Sequence, residues 1–119
     1  MPTYVDGFVT PVHADKRASY LHHATEMAAL FKEFGALGLV ECWGDDVPEG
    51  KLTSFPLAVK LEPGEVVVLS WITWPSKAVR DDGWQRLMAD PRMQPGAAGM
   101  PPFDGKRLIY GGFEVLLKV

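Results

Sequence analysis

The sequence predicts an α+β domain of the ferredoxin-like type, with an antiparallel sheet and two helices on one face. Strand and helix patterns follow the order βαββαβ, which is the split βαβ arrangement. Residues 65–74 form a strand whose two alternating faces are both apolar, so both sides of the sheet must be covered. A chain of 119 residues is long enough to bury one core. We therefore assign residues 1–119 to a single domain.

The first strand and the first helix are indicated by two different periodicities. Residues 4–12 alternate as a strand does. Asp15 is expected to cap the following helix, and Gly35 is expected to close it. Between them, apolar residues recur at steps of three and four, as they do on a helix packed against a sheet. These residues are Tyr20, Ala24, Met27, Phe31 and Phe34.

The middle of the chain predicts three further strands before the second helix begins. Residues 37–46 alternate as a second strand. Residues 52–61 suggest a short irregular strand, in which Pro56 would mark an edge of the sheet. The strand at residues 65–74 follows the turn sequence Pro-Gly. Ser76 then caps the second helix.

The second helix is predicted from residue 77 and ends before Asp90-Pro91. Gly83 in its interior would be explained by a close approach to another backbone, and Arg80 is expected on the outside. Residues 91–105 are long for a connection in a compact domain, and their apolar residues favour a loop docked on the protein. Residues 106–119 form the last strand, interrupted by two glycines that indicate a bulge or a close contact.

Composition and charge exclude several classes of protein. The net charge is −3 and no basic stripe is present, so nucleic-acid binding is not expected. Cys42 is the single cysteine, which excludes an internal disulfide and favours a reducing compartment. No signal-peptide pattern and no apolar run of about 20 residues is present, so we expect a cytoplasmic protein without a membrane span.

The face of the sheet without helices predicts a partner. Leaving even roughly 400 Å² of apolar sheet in water would forgo about 10 kcal/mol at about 25 cal/mol per Å². A second copy of the chain is the simplest cover, so we predict a twofold homodimer packed sheet against sheet. This arrangement is a dimeric α/β barrel.

Eight short motifs are spread over nearly the whole chain. They are YVDGF (4–8), ECWGDDVP (41–48), TSFP (53–56), SW (70–71), WPSKAVRD (74–81), MADPRM (88–93), PFDGKR (102–107) and YGGFE (110–114). In these motifs the sequence resembles the YbaA-like family of small bacterial proteins. The resemblance implies the dimeric α/β-barrel fold, but the family is a domain of unknown function and implies no catalytic residue. Some members carry a description that mentions a signal-recognition-particle RNA.

Polar groups inside apolar strands are the candidates for chemistry. Asp6, Glu41 and Glu114 are carboxylates in such strands, and each must be paired, hydrogen-bonded or functional. If Asp6 and Glu41 lay on neighbouring strands, they could share a proton, and Tyr110 could donate to a substrate oxygen. The alternative is a structural polar network without catalysis. Aromatic residues that could line a site for a small apolar molecule are Phe8, Trp43, Trp71 and Trp74.

Neither a metal nor a cofactor is predicted. The adjacent His22 and His23 point about 100° apart on a helix and cannot chelate one ion together, so both are expected in solvent. Three function classes stay open: a small enzyme or ligand-binding protein without a cofactor, a homodimeric interaction module, and RNA binding, which the charge disfavours.

Overall fold

The strands form one four-stranded antiparallel sheet in the order β2-β3-β1-β4. The computed structural model describes residues 3–93 and 101–119. It confirms the predicted βαββαβ order, with one additional short helix. The elements are β1 (Tyr4–His13), α1 (Arg17–Glu33), β2 (Gly38–Trp43), α2 (Phe55–Ala58), β3 (Glu65–Trp74), α3 (Lys77–Ala89) and β4 (Ile109–Glu114).

The additional helix α2 corrects the prediction of an irregular strand over residues 52–61. The Ser54 hydroxyl accepts a hydrogen bond from the backbone N–H of Leu57 at 3.0 Å, so Ser54 is an N-cap. Pro56 lies in the first turn, where backbone N–H groups have no acceptor within the helix, so the N–H that proline lacks is not needed. Pro56 therefore marks the start of a helix, and its interpretation as a sheet edge was wrong.

Helix ends follow the predicted chemistry in two places and depart from it in one. Ser76 caps α3 by accepting from the N–H of Val79 at 3.2 Å. Gly35 follows α1 with a φ of 113°, which a glycine adopts without strain. Asp15 is not the N-cap, because it lies in a 3₁₀ turn over Ala14–Lys16 that the side chain of His13 caps instead. The strands β2 and β4 are also shorter than predicted.

Helices α1 and α3 pack on the same face of the sheet, and the largest buried side chains lie between them and the strands. Gly83 of α3 approaches α1 so closely that an added Cβ would be 2.7 Å from the carbonyl oxygen of Phe34. The predicted close backbone approach is therefore confirmed. The core residues on this face include Val12, Tyr20, Ala24, Phe31, Val68, Ile72, Trp74 and Leu87.

The opposite face of the sheet, called the open face below, carries apolar side chains that the chain only partly covers. Its exposed members are Val40 at 41%, Leu69 at 39%, Ile109 at 43% and Phe113 at 60%. Pro11 and Val67, which face each other across β1 and β3, are buried by the chain itself. The described residues of a single chain thus bury the end of the open face at Pro11 and Val67 and leave the four side chains above exposed.

Candidate functional site

A pocket with a volume of about 130 Å³ lies between α1 and the helix-covered face of the sheet, partly open to solvent. An apolar cavity of about 150 Å³ can hold benzene, so this pocket is the size of a single ring. Five of its lining side chains are aromatic, and most of the others are aliphatic. The lining residues are Phe8, Thr10, Tyr20, His23, Ala24, Met27, Phe31, Leu39, Glu41, Ser70, Ile72, Trp84, Phe103 and Leu108.

One corner of the pocket is polar. The Tyr20 hydroxyl donates a hydrogen bond to Oε1 of Glu41 at 2.7 Å. Thr10 and Ser70 are buried beside them, and Ser70 lies directly opposite Glu41 in the pairing of β3 with β2. Burial, and then the hydrogen bond to Glu41, raise the pKa of Tyr20 far above its usual value. The phenol therefore stays protonated at neutral pH and remains a donor.

His23 forms part of the pocket wall, next to Phe103. The centres of the two rings are 5.7 Å apart in an edge-on arrangement. Burial lowers the pKa of His23, so the neutral imidazole is favoured. The prediction that both adjacent histidines face solvent is correct for His22, which lies 3.1 Å from Glu26 with an exposed side chain. For His23 it was wrong, because a residue three positions after Tyr20 shares the inner face of the helix.

Asp6 lies outside this pocket, in a buried hydrogen-bond network with α3. Its carboxylate accepts from the indole N–H groups of Trp74 at 2.9 Å and Trp84 at 2.8 Å. Nη2 of Arg80 donates to it at 2.7 Å, and Nε of Arg80 donates at 3.1 Å. The bond to Asp6 raises the pKa of Arg80. Arg80 was expected outside, but only 23% of its side chain is exposed.

The structure does not bring Asp6 and Glu41 together. They lie on β1 and β2, and β3 runs between these two strands. The condition for sharing a proton, carboxylates on neighbouring strands, is therefore not met.

Of the remaining candidates, only Phe8 joins Glu41 in the pocket wall. Tyr110 is 77% exposed and stacks on Phe8 with the ring centres 6.3 Å apart. Glu114 is exposed on β4. The three tryptophans are dispersed: Trp43 lies under the guanidinium of Arg17, Trp71 is half-buried on the open face, and Trp74 is buried in the core.

The sequence interpretation missed Tyr20, His23 and Phe103 as pocket residues. A helical stripe signalled Tyr20, but an apolar stripe is equally typical of a plain core. Phe103 comes from the long connection, and its ring lies 6.0 Å from that of Tyr20. The prediction of a docked loop is therefore confirmed for Phe103 and also for Met93, which packs against the core. Met100, the third residue behind that prediction, lies outside the described residues.

Two further findings concern residues 3–93 and 101–119. Among them, no group of three or more His, Cys, Asp or Glu side chains is arranged to hold a metal ion. Over the same residues, every helix is too short or too polar to cross a membrane.

The chain is similar to proteins whose activity is not described. The family model described as "Protein of unknown function (DUF1428)" matches residues 3–105. The "Uncharacterized protein YbaA" of Escherichia coli strain K12 is 59% identical over 114 residues, which are 96% of this chain and 97% of that protein. The proteins of the same name from Escherichia coli O157:H7 and Shigella flexneri have the same identity and coverage.

Proposed function

Since this chain belongs to the family described as protein of unknown function (DUF1428), we propose its function from the site alone: it binds a small, largely apolar ring compound between its helices and its sheet. The observation that carries the proposal is the pocket of about 130 Å³ with aromatic walls and one polar corner. Ligand sites are typically concave and apolar, with a few convergent polar groups.

A purely structural role explains the Asp6 network but does not explain this pocket. Protein interiors are packed as densely as organic crystals, and empty space forfeits van der Waals contacts along its walls. The same chain packs Trp74 and Leu87, which do not line the pocket, with no exposure to solvent. A space lined by Phe8, Tyr20 and other large side chains is therefore better explained by an occupant. RNA binding has no comparable support, because the net charge is −3.

Toluene is the probe that we expect to enter the pocket. In a titration followed by the methyl NMR signals, the resonances of Met27, Leu39 and Ile72 should shift, because these side chains line the pocket. Ala24→Leu should abolish the shifts by filling the space, since Ala24 is a buried lining residue. Ala29→Leu is the matched control, because Ala29 is exposed on the same helix. The proposal is wrong if toluene near saturation leaves the pocket signals unmoved.

We also propose that two copies of this chain associate through the open face to form a dimeric α/β barrel. The support is the row of partly exposed apolar side chains on this face, which includes Leu69, Ile109 and Phe113. Beyond β4, the C-terminal segment also exposes the apolar side chains of Leu116 and Leu117, at 98% and 78%. Monomeric proteins rarely leave contiguous apolar patches of several hundred Å² in water.

Light scattering coupled to size-exclusion chromatography tests the association. We expect about twice the chain mass of 13.1 kDa at micromolar concentration. A particle with the mass of one chain over the whole concentration range would rule the dimer out, and a larger assembly would contradict closed twofold symmetry.

A further inference from the structure

The polar corner of the pocket contains a carboxylate, that of Glu41, whose hydrogen-bonding capacity is only partly used. Within residues 3–93 and 101–119, the Tyr20 hydroxyl makes the only hydrogen bond to the side-chain carboxylate of Glu41, and it reaches Oε1. A carboxylate can accept about four hydrogen bonds through its two oxygens. Glu41 also lines the pocket and is only partly buried. Oε2 of Glu41 is therefore the acceptor that a bound molecule would meet.

Among the described residues that line the pocket, the only formal charge at neutral pH is the negative charge of Glu41. Neither arginine nor lysine occurs among the described residues that line it. His23 is the one lining residue that could become positive, and its burial favours the neutral ring. On α3, Arg80 is paired with Asp6, which lies outside the pocket. A bound anion would thus lie beside Glu41 without a counter-charge from the described lining residues, which is strongly unfavourable in a site partly removed from water.

Resting on the pocket proposed above, we infer that the ligand is a ring compound carrying a hydrogen-bond donor, either a hydroxyl or a protonated amine, and that carboxylates of the same shape are excluded. The donor bonds to the free oxygen of Glu41, and the ring lies among Phe8, Phe31 and Phe103. The aromatic faces add to the preference for a cation, because their quadrupoles attract positive charge.

Four probes of nearly equal shape test this inference: toluene, benzyl alcohol, benzylamine and benzoate. Each has one ring and one attached carbon, and they differ in the group on that carbon. Titrated into the wild-type chain at neutral pH, benzylamine is expected to bind at least about tenfold more tightly than benzoate, because a charge-assisted hydrogen bond replaces a repulsion. Benzyl alcohol is expected to bind more tightly than toluene.

Glu41→Gln separates the role of the carboxylate from that of the pocket. The amide oxygen can still accept from Tyr20, so the wall is kept while the charge is removed. This variant should lose most of the preference for benzylamine over benzoate. Glu114→Gln, which removes an exposed carboxylate from β4, is the matched control and should leave that preference unchanged.

The outcomes distinguish this inference from the proposal on which it rests. If none of the four probes binds, the pocket is not a ligand site and both fail. If toluene binds but benzoate binds as tightly as benzylamine, the pocket stands and only the donor preference is overturned. If Glu41→Gln leaves the preference for benzylamine unchanged, the preference has another source and the inference is wrong.

Discussion

Replacing Asp6 with alanine is expected to lower the free energy of unfolding by about 4 kcal/mol, because the change leaves a charge and two indole donors without their acceptor. The side chain of Asp6 is only 4% exposed, and it accepts from Trp74, Trp84 and Arg80 at once. Trp74 is fully buried, so water cannot replace the lost acceptor. Urea unfolding followed by far-UV circular dichroism measures the loss.

Asp81→Ala is the matched control for this experiment. Asp81 also accepts from Arg80, at 3.0 Å, but its side chain is 48% exposed and water can replace it. Its removal should therefore have a much smaller effect. If Asp6→Ala does not fold, Asp6→Asn keeps the shape and should fold with an intermediate loss of stability. A loss below about 1 kcal/mol for Asp6→Ala would contradict the view that this network holds α3 on the sheet.

In the sequence, Asp6 and Glu41 cannot be distinguished, because both are carboxylates in apolar strands. In the fold their surroundings differ. Asp6 and Glu41 both lie on the helix-covered face of the sheet, as period-two patterns place them. What separates them is the helix above each: α3 places Arg80 over Asp6, whereas α1 places Tyr20 over Glu41. Strand periodicity has no information about that placement, so it could not distinguish a structural carboxylate from a pocket carboxylate.

For Arg80, helix spacing indicated the inward position, whereas its charge indicated a position in solvent. Arg80 lies three residues before Gly83 and four before Trp84, so it shares their inward face. A charged residue is nevertheless assigned to solvent by default, because buried charges are rare unless they are paired. Only the opposing Asp6 makes the inward position favourable, and that contact spans 74 positions along the chain. The caps at Ser76 and Gly35 and the close approach of Gly83 were predictable, because they depend on neighbouring residues or on the absence of one Cβ atom, whereas the cap expected at Asp15 was wrong.

Local sequence patterns could not predict the pocket either. The spacing of Tyr20 and His23 places both on the inner face of α1, but that spacing does not determine whether the space below them is filled. The answer depends on Phe103, which reaches the site from a connection with no periodicity of its own. The fold could therefore be predicted from alternation and order, whereas the site required the packing of three separate segments.

Leu69→Lys is expected to raise the dissociation constant of the proposed dimer by about 100-fold or more, because two ammonium groups would be buried in each twofold interface without partners. Leu69 lies on β3, one of the two central strands, in a row with Val9 and Ile109 on the open face. It is 39% exposed in the single chain, so a lysine there can reach water in a monomer. The monomer should therefore remain folded while association is lost.

Leu52→Lys provides the control that separates a specific interface from a general effect of charge. Leu52 is 98% exposed in the connection between β2 and β3, away from the sheet, and its replacement changes the net charge equally. Sedimentation velocity over a range of protein concentrations should show dimers for Leu52→Lys and monomers for Leu69→Lys. Equal association of the two variants would overturn the proposal that the open face is the dimer interface. The open apolar face would then need a different cover, because a lysine at its centre would not be tolerated in a dry sheet-to-sheet contact.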